Sequence, residues 1–141
     1  MNRDFIKSEI NNNYEKEILF VLSHLKLVLD CVLYDPQNDL DIESINTDMI
    51  LKIHGDWTGY EASTNEVGLN SNEFYPCSIP PMSSLLIKGL KKQYPNRTFC
   101  VITSIDNQRA YIRFHTVRND EPLWCDLNVD NYDEPVFVEI G

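Results

Sequence analysis

The 141-residue sequence predicts an α+β fold, with an N-terminal helix, a second helix near residues 80–94 and an antiparallel sheet built mainly from the C-terminal half. Three patterns carry that expectation. Ile18, Leu22, Leu25, Leu29 and Val32 recur at helical spacing, and Met82, Leu85, Leu86 and Leu90 repeat the pattern later. Thr98–Ile105 and Arg109–Arg118 are alternating runs joined by the turn formers Asp106-Asn107-Gln108, the signature of a β-hairpin.

The first helix follows Asn11-Asn12-Asn13. Asn12 is placed to cap it, with Glu15 three residues on in the capping-box position. Ser23, Lys26 and Asp30 lie opposite the apolar stripe, which Leu19, Phe20, Val21, Leu27 and Val28 widen. The helix is therefore expected to run to about Leu33, stopped by Pro36, with a strand as the alternative for its later part. Gln37–Asp48 is acidic and polar, as an exposed connection is. Met49–Ile53, short, apolar and bounded by Gly55, reads as a strand. A turn at His54-Gly55-Asp56 then leads to a second strand through Trp57, Tyr60 and Ala62. Ser63–Asn72 reads as a loop.

Ser78-Ile79-Pro80-Pro81 is a helix entrance, because the first turn has no use for the N–H that proline lacks. Lys88, Lys91 and Lys92 crowd the end of that helix, where cations complement its dipole, and Tyr94-Pro95 stops it. In the hairpin, Ala110, Ile112 and Phe114 face inward, and Arg109, Tyr111, Arg113 and His115 outward. Leu123–Val129 and Pro135–Ile140 are further strands, the second with Val136, Val138 and Ile140 on one face.

Length and composition fit a single domain over residues 1–141. An apolar fraction of 43% and an aromatic fraction of 11% are those of a chain that buries a core. The apolar run Ile18–Leu33 is 16 residues long and interrupted by His24, Lys26 and Asp30, too short and too polar to span a bilayer. The N-terminus has acids where a signal peptide is basic. A cytoplasmic protein is the expectation. Cys31, Cys77, Cys100 and Cys125, with no C-x-x-C pair, are then expected as buried thiols.

Charge is unevenly laid out. Residues 1–85 hold 14 acids and 5 bases, residues 86–118 hold 1 acid and 7 bases, and residues 119–141 hold 7 acids and no base. The net charge of −10 argues against nucleic acid or an anionic membrane as partner, since both need clustered Lys and Arg. The expected partner is a basic protein. Asp120, Glu121, Asp126, Asp130, Asp133 and Glu134, interleaved with Trp124 and Tyr132, form the candidate binding surface. Arg109, Arg113 and His115 read as a solvated face that neutralises these acids.

No catalytic signature competes. None of the four cysteines or of His24, His54 and His115 is framed by a nucleophile motif. No zinc spacing and no phosphate-binding loop is present, and the acidic run from Asp126 to Glu134 lacks the glycine of a calcium loop. The expectation is no catalytic residue, no metal and no cofactor. The one local cluster that resists a purely structural reading is His54-Gly55-Asp56-Trp57, in a turn. It supports the alternative of a small-molecule-binding or enzymatic α+β domain, with a deep pocket and a perturbed histidine. A third alternative is an adaptor that makes only structural contacts.

Three stretches of the C-terminal portion, Thr98 to Ile140, are distinctive together. They are the hairpin with Tyr111-Ile112-Arg113-Phe114-His115, then Trp124, then the ending Asp130-Asn131-Tyr132-Asp133-Glu134-Pro135-Val136-Phe137-Val138. This portion, about a third of the chain, resembles the small α+β immunity proteins of bacterial toxin–immunity systems, which are likewise small, acidic and Asn-rich. The resemblance implies a non-enzymatic cytoplasmic inhibitor that binds one cognate toxin domain and blocks its active site or substrate approach. Many such toxins are basic nucleases, and an acidic inhibitor mimics the phosphates they expect.

Overall fold

Residues 15–22 are helical (α1), with Ile18, Val21 and Leu22 buried while Leu19 and Phe20 stay exposed. The computed structural model describes residues 15–70, 79–106, 109–125 and 135–141. The expected cap Asn12 lies outside them. The helix does not reach Leu33. The Ser23 hydroxyl and the His24 ring both take the Phe20 carbonyl, at 2.8 and 2.7 Å, and close the last turn. A two-stranded hairpin follows, β1 (Leu25–Val28) and β2 (Cys31–Tyr34), with Val28 opposite Cys31. Its turn residues Leu29 and Asp30 both have positive φ, 50° and 66°, as a type I′ hairpin turn requires.

The two strands expected over residues 49–62 are helices. Helix α2 (Thr47–His54) is capped by Asn46, whose side chain accepts from the Met49 N–H at 3.1 Å. It ends at Gly55 (φ 83°), whose N–H donates to the Leu51 carbonyl at 2.9 Å. Helix α3 (Trp57–Thr64) is capped by Asp56, which accepts from the Gly59 N–H at 2.7 Å. The expected turn at residues 54–56 is thus the corner between two helices. The expected loop over Ser63–Asn72 contains a strand, β3 (Glu66–Asn70).

The later elements follow the sequence closely. Helix α4 (Ile79–Gln93) buries Ile79, Met82, Leu86, Ile87 and Leu90. Strands β4 (Phe99–Asp106) and β5 (Arg109–Thr116) form the long hairpin, and β6 (Val136–Ile140) pairs antiparallel with β4. The sheet order is β3-β5-β4-β6, so the fold is α+β with antiparallel sheets. One face, bearing Val67, Leu69, Phe99, Val101, Ala110, Ile112 and Phe114, packs on α4 and α1. Gly89 makes the α1–α4 contact possible, since a Cβ there would lie 2.2 Å from the Leu22 side chain. Among the described residues, no helix is long and apolar enough to cross a membrane.

The opposite face is also covered. Cys100, Ile102 and Cys125 form a second cluster, joined by Val117, Leu123, Val136 and Val138, so residues 117–125 lie across the sheet. Residues 123–125 form no strand there, and the rest of the expected Leu123–Val129 strand lies outside the described residues. His115, expected outward on a solvated face, is fully buried beneath this segment. Cys31, Cys100 and Cys125 are buried. Cys77 lies outside the described residues.

Candidate functional site

Helix α3 is fixed in place by two polar side chains that substitute for a strand pairing. Glu61, fully buried, accepts from the Val32 N–H at 2.7 Å on β2, and from the N–H and hydroxyl of Thr116 on β5. Asn65 accepts from the Tyr34 N–H at 2.7 Å and donates to the carbonyls of Val32 and Phe114 at 2.7 and 3.1 Å. The hairpin and the sheet are therefore bridged through α3, with buried backbone groups satisfied as their desolvation demands. Arg118 completes the network. It donates to the Glu61 carboxylate and the Thr58 hydroxyl, both at 3.2 Å, and to the Asp30 carbonyl at 3.1 Å.

The N-terminus of α3 holds two carboxylates. Asp56 caps it, and Glu121 accepts from the Thr58 N–H and hydroxyl, both at 2.7 Å, and from the Trp57 N–H at 3.3 Å. Burial pushes the Glu121 carboxyl up, but those hydrogen bonds and the Arg118 charge outweigh it, and the net shift is downward. Glu121 thus draws residues 118–124 against the α2–α3 corner.

Trp124 is held on the other side of that segment. Its backbone N–H donates to His115 Nε2 at 3.3 Å, and the Arg113 guanidinium lies over its ring at 4.2 Å. Arg113 also pairs with Glu66 at 2.7 Å, so the expected basic face is used internally. His115 Nδ1 lies 2.8 Å from the Thr116 carbonyl. A carbonyl only accepts, so Nδ1 carries the proton and Nε2 accepts from Trp124. The ring is neutral, and burial holds its pKa below the usual histidine value.

Between the helical corner and this segment lies a cleft of about 390 Å³, lined by Ile53, His54, Asp56, Thr58, Gly59, Ser63, Pro122, Leu123 and Trp124. The two candidate sites of the sequence meet here. His54 and Asp56 of the turn line one wall, and Trp124 of the acidic C-terminal segment lines the other. Trp57 does not join them. It packs with Leu40, Ile45 and Tyr60 against Val28, Cys31 and Leu33. Asp120 is exposed, and Glu121 accepts at the N-terminus of α3. Asp126, Asp130, Tyr132, Asp133 and Glu134 lie outside the described residues.

The buried thiols are poor nucleophiles. Burial, and then the Glu61 carboxylate, pushes Cys31 up to about 12. A hydrogen bond with Cys125, and then burial, pushes Cys100 up as well. Among the described residues, no three His, Cys, Asp or Glu side chains gather as metal ligands. Sequence reasoning missed Glu61, Asn65 and Arg118. A strand over residues 57–62 gave Glu61 no reason to be buried, whereas helical spacing puts Glu61 and Asn65 on one face.

A family model matches the chain over residues 1–141. No curated protein and no solved structure matches it.

Proposed function

We propose that this chain, which belongs to the Uncharacterized protein PM0498 family, is a non-enzymatic inhibitor of the immunity type that binds a basic partner, a cognate toxin domain, in the cytoplasm. The observation that carries the reading is the placement of Trp124. The residue is 44% exposed, yet its backbone N–H is bonded to His115 and the Arg113 guanidinium lies over its ring, at the rim of a cleft whose charged lining is the Asp56 carboxylate. A fixed, half-exposed tryptophan at the rim of a carboxylate-lined cleft supports the reading of an aromatic anchor for a cationic partner. Carboxylates around it steer a cationic partner and repel nucleic acid and anionic membranes. The acids Asp126, Asp130, Asp133 and Glu134, with Tyr132, extend the same negative segment in sequence.

Co-expression with a basic toxin domain encoded beside its gene tests the reading. Growth should be restored, and the complex should form at low salt and weaken steeply as salt rises. Trp124→Ala with Asp120→Lys should weaken it by about ten-fold or more, or ~1.4 kcal/mol. No rescue, or a complex indifferent to both salt and these substitutions, rejects it.

The cleft also favours a second reading, a small-molecule site with His54 and Asp56 as its polar groups. Its volume of about 390 Å³ is within the usual range for such sites. Asp56 is already engaged in capping α3, which leaves less of it for a ligand. A compound screen by thermal shift separates the two readings, since only this one predicts stabilisation that His54→Ala removes.

A further inference from the structure

We propose that the outward face of α2, together with the cleft it borders, is the docking surface for a cationic amphipathic segment of the partner protein. The inference rests on the binding reading above and adds where the partner sits and what it presents.

Helix α2 is well capped at both ends, but none of its residues is buried. Met49 is 52% exposed, Leu51 38% and Ile53 67%, and Ile42 stands exposed in the turn just before. A surface helix ordinarily turns an apolar pair such as Met49 and Ile53 inward, and eight residues are too few to be helical on propensity alone. Met49 and Ile53 are one turn apart and share a face, from which Leu51 points away. Ile53 carries that face directly into the cleft, where Pro122, Leu123 and Trp124 continue it.

The sequence flanking this apolar strip is acidic, and that charge selects its occupant. Between residues 39 and 56 the acids are Asp39, Asp41, Glu43, Asp48 and Asp56, and Lys52 is the single base. Asp39, Asp41, Glu43 and Asp48 are exposed. An anionic bilayer is repelled by such a rim. A second copy of this chain, docking the same face on itself, would set these carboxylates against their own images. A partner segment with apolar residues along one side and Lys or Arg beside them satisfies both components, in the helix-in-groove manner.

The probe is a labelled amphipathic Leu/Lys peptide of about 18 residues, compared with a scrambled peptide of identical composition by fluorescence anisotropy. The amphipathic peptide should bind at least about ten-fold tighter than the scrambled one. Met49→Ser with Ile53→Ser should remove about ten-fold of that affinity, while Leu27→Ser, at an exposed apolar site on β1, leaves it within about two-fold. All three residues are exposed, and circular dichroism of each variant checks that the fold is retained. Equal binding of the two peptides, or an unchanged affinity for the double serine variant, overturns the proposal. The same variant in the toxin co-expression assay separates the two readings. Rescue that survives both serines rejects the α2 surface and keeps the inhibitor. Peptide binding through α2 without any rescue keeps the surface and rejects the inhibitor.

Discussion

Arg118 and Glu61 form an ion pair, Nη1 to Oε1 at 3.2 Å, where solvent reaches none of the Glu61 side chain and 10% of that of Arg118. The same carboxylate satisfies backbone N–H groups on β2 and β5, so its charge and its geometry are both in use. Glu61→Gln keeps the shape, removes the counter-charge of Arg118 and turns an amide N–H toward N–H donors. It should lower the unfolding free energy by about 3 kcal/mol, the usual cost of breaking one side of a buried pair. Urea denaturation measures it. A loss under about 0.5 kcal/mol would mean that water or rearrangement replaces the carboxylate.

Acid should destabilise the protein in a window set by Asp35 and Glu121. The hydrogen bond from Lys26, at 2.7 Å, holds the Asp35 carboxyl at about 2, against burial and with help from the Leu40 and Asp39 N–H groups. Glu121 is also shifted downward. A carboxyl depressed in the folded state contributes stability that is complete above its unfolded pKa of about 4 and lost as pH falls through the folded value. Stability should therefore fall between about pH 4 and 2, and Asp35→Asn should remove its share of that slope. A variant with the parent's slope would sink the assignment.

The sequence was legible where local and long-range preferences agreed. Helix α4 had its Pro entrance, Lys exit and apolar stripe, and the β4–β5 hairpin alternated over its whole length. The failures came where one segment satisfied two readings. Ile18–Leu33 has a helical period throughout, but the β-branched Val28 and Val32 pair better across a hairpin, and no Gly or Asn marks the turn at Leu29-Asp30. Met49–Ile53 is short and apolar, a composition that suits a strand as well as a helix. The caps Asn46 and Gly55 outweigh that, and the residues are exposed. The cleft unites residues about 60 positions apart because Glu121 reaches the N-terminus of α3, a contact that periodicity does not encode.

The unmarked turn leads to a stabilising substitution. Leu29 has φ 50°, a conformation that costs a branched L-residue about 1–2 kcal/mol and an asparagine less. Asp30 should be kept, because Arg97 donates to its carboxylate at 2.5 Å and to its carbonyl at 2.8 Å. Leu29→Asn is expected to raise stability by about 0.5–1 kcal/mol, with the melting temperature up by about 2–4 °C. A lower melting temperature would show that the Leu29 side chain contributes more than its backbone strain costs.

His115 couples the buried face of the sheet to the exposed tryptophan, and that coupling is titratable. Only a neutral ring with its proton on Nδ1 accepts from the Trp124 backbone N–H, and protonation turns Nε2 into a donor facing a donor. Burial lowers the folded-state pKa, outweighing the Thr116 carbonyl and the Glu61 charge, which favour the cation. Above the unfolded value of about 6.5 both states are neutral and the contribution is complete. As pH falls below that value, the unfolded chain takes up a proton first and stability drops until the folded value is passed. Stability should begin to fall near about pH 6.5, well above the carboxyl window, and Trp124 emission should change with ring protonation at lower pH. Affinity for a basic partner should follow the emission change, because the partner's Lys and Arg do not titrate there. His115→Gln should flatten this limb while leaving the acid window below about pH 4 in place. An unchanged limb in that variant would place the titrating group elsewhere and detach Trp124 from it.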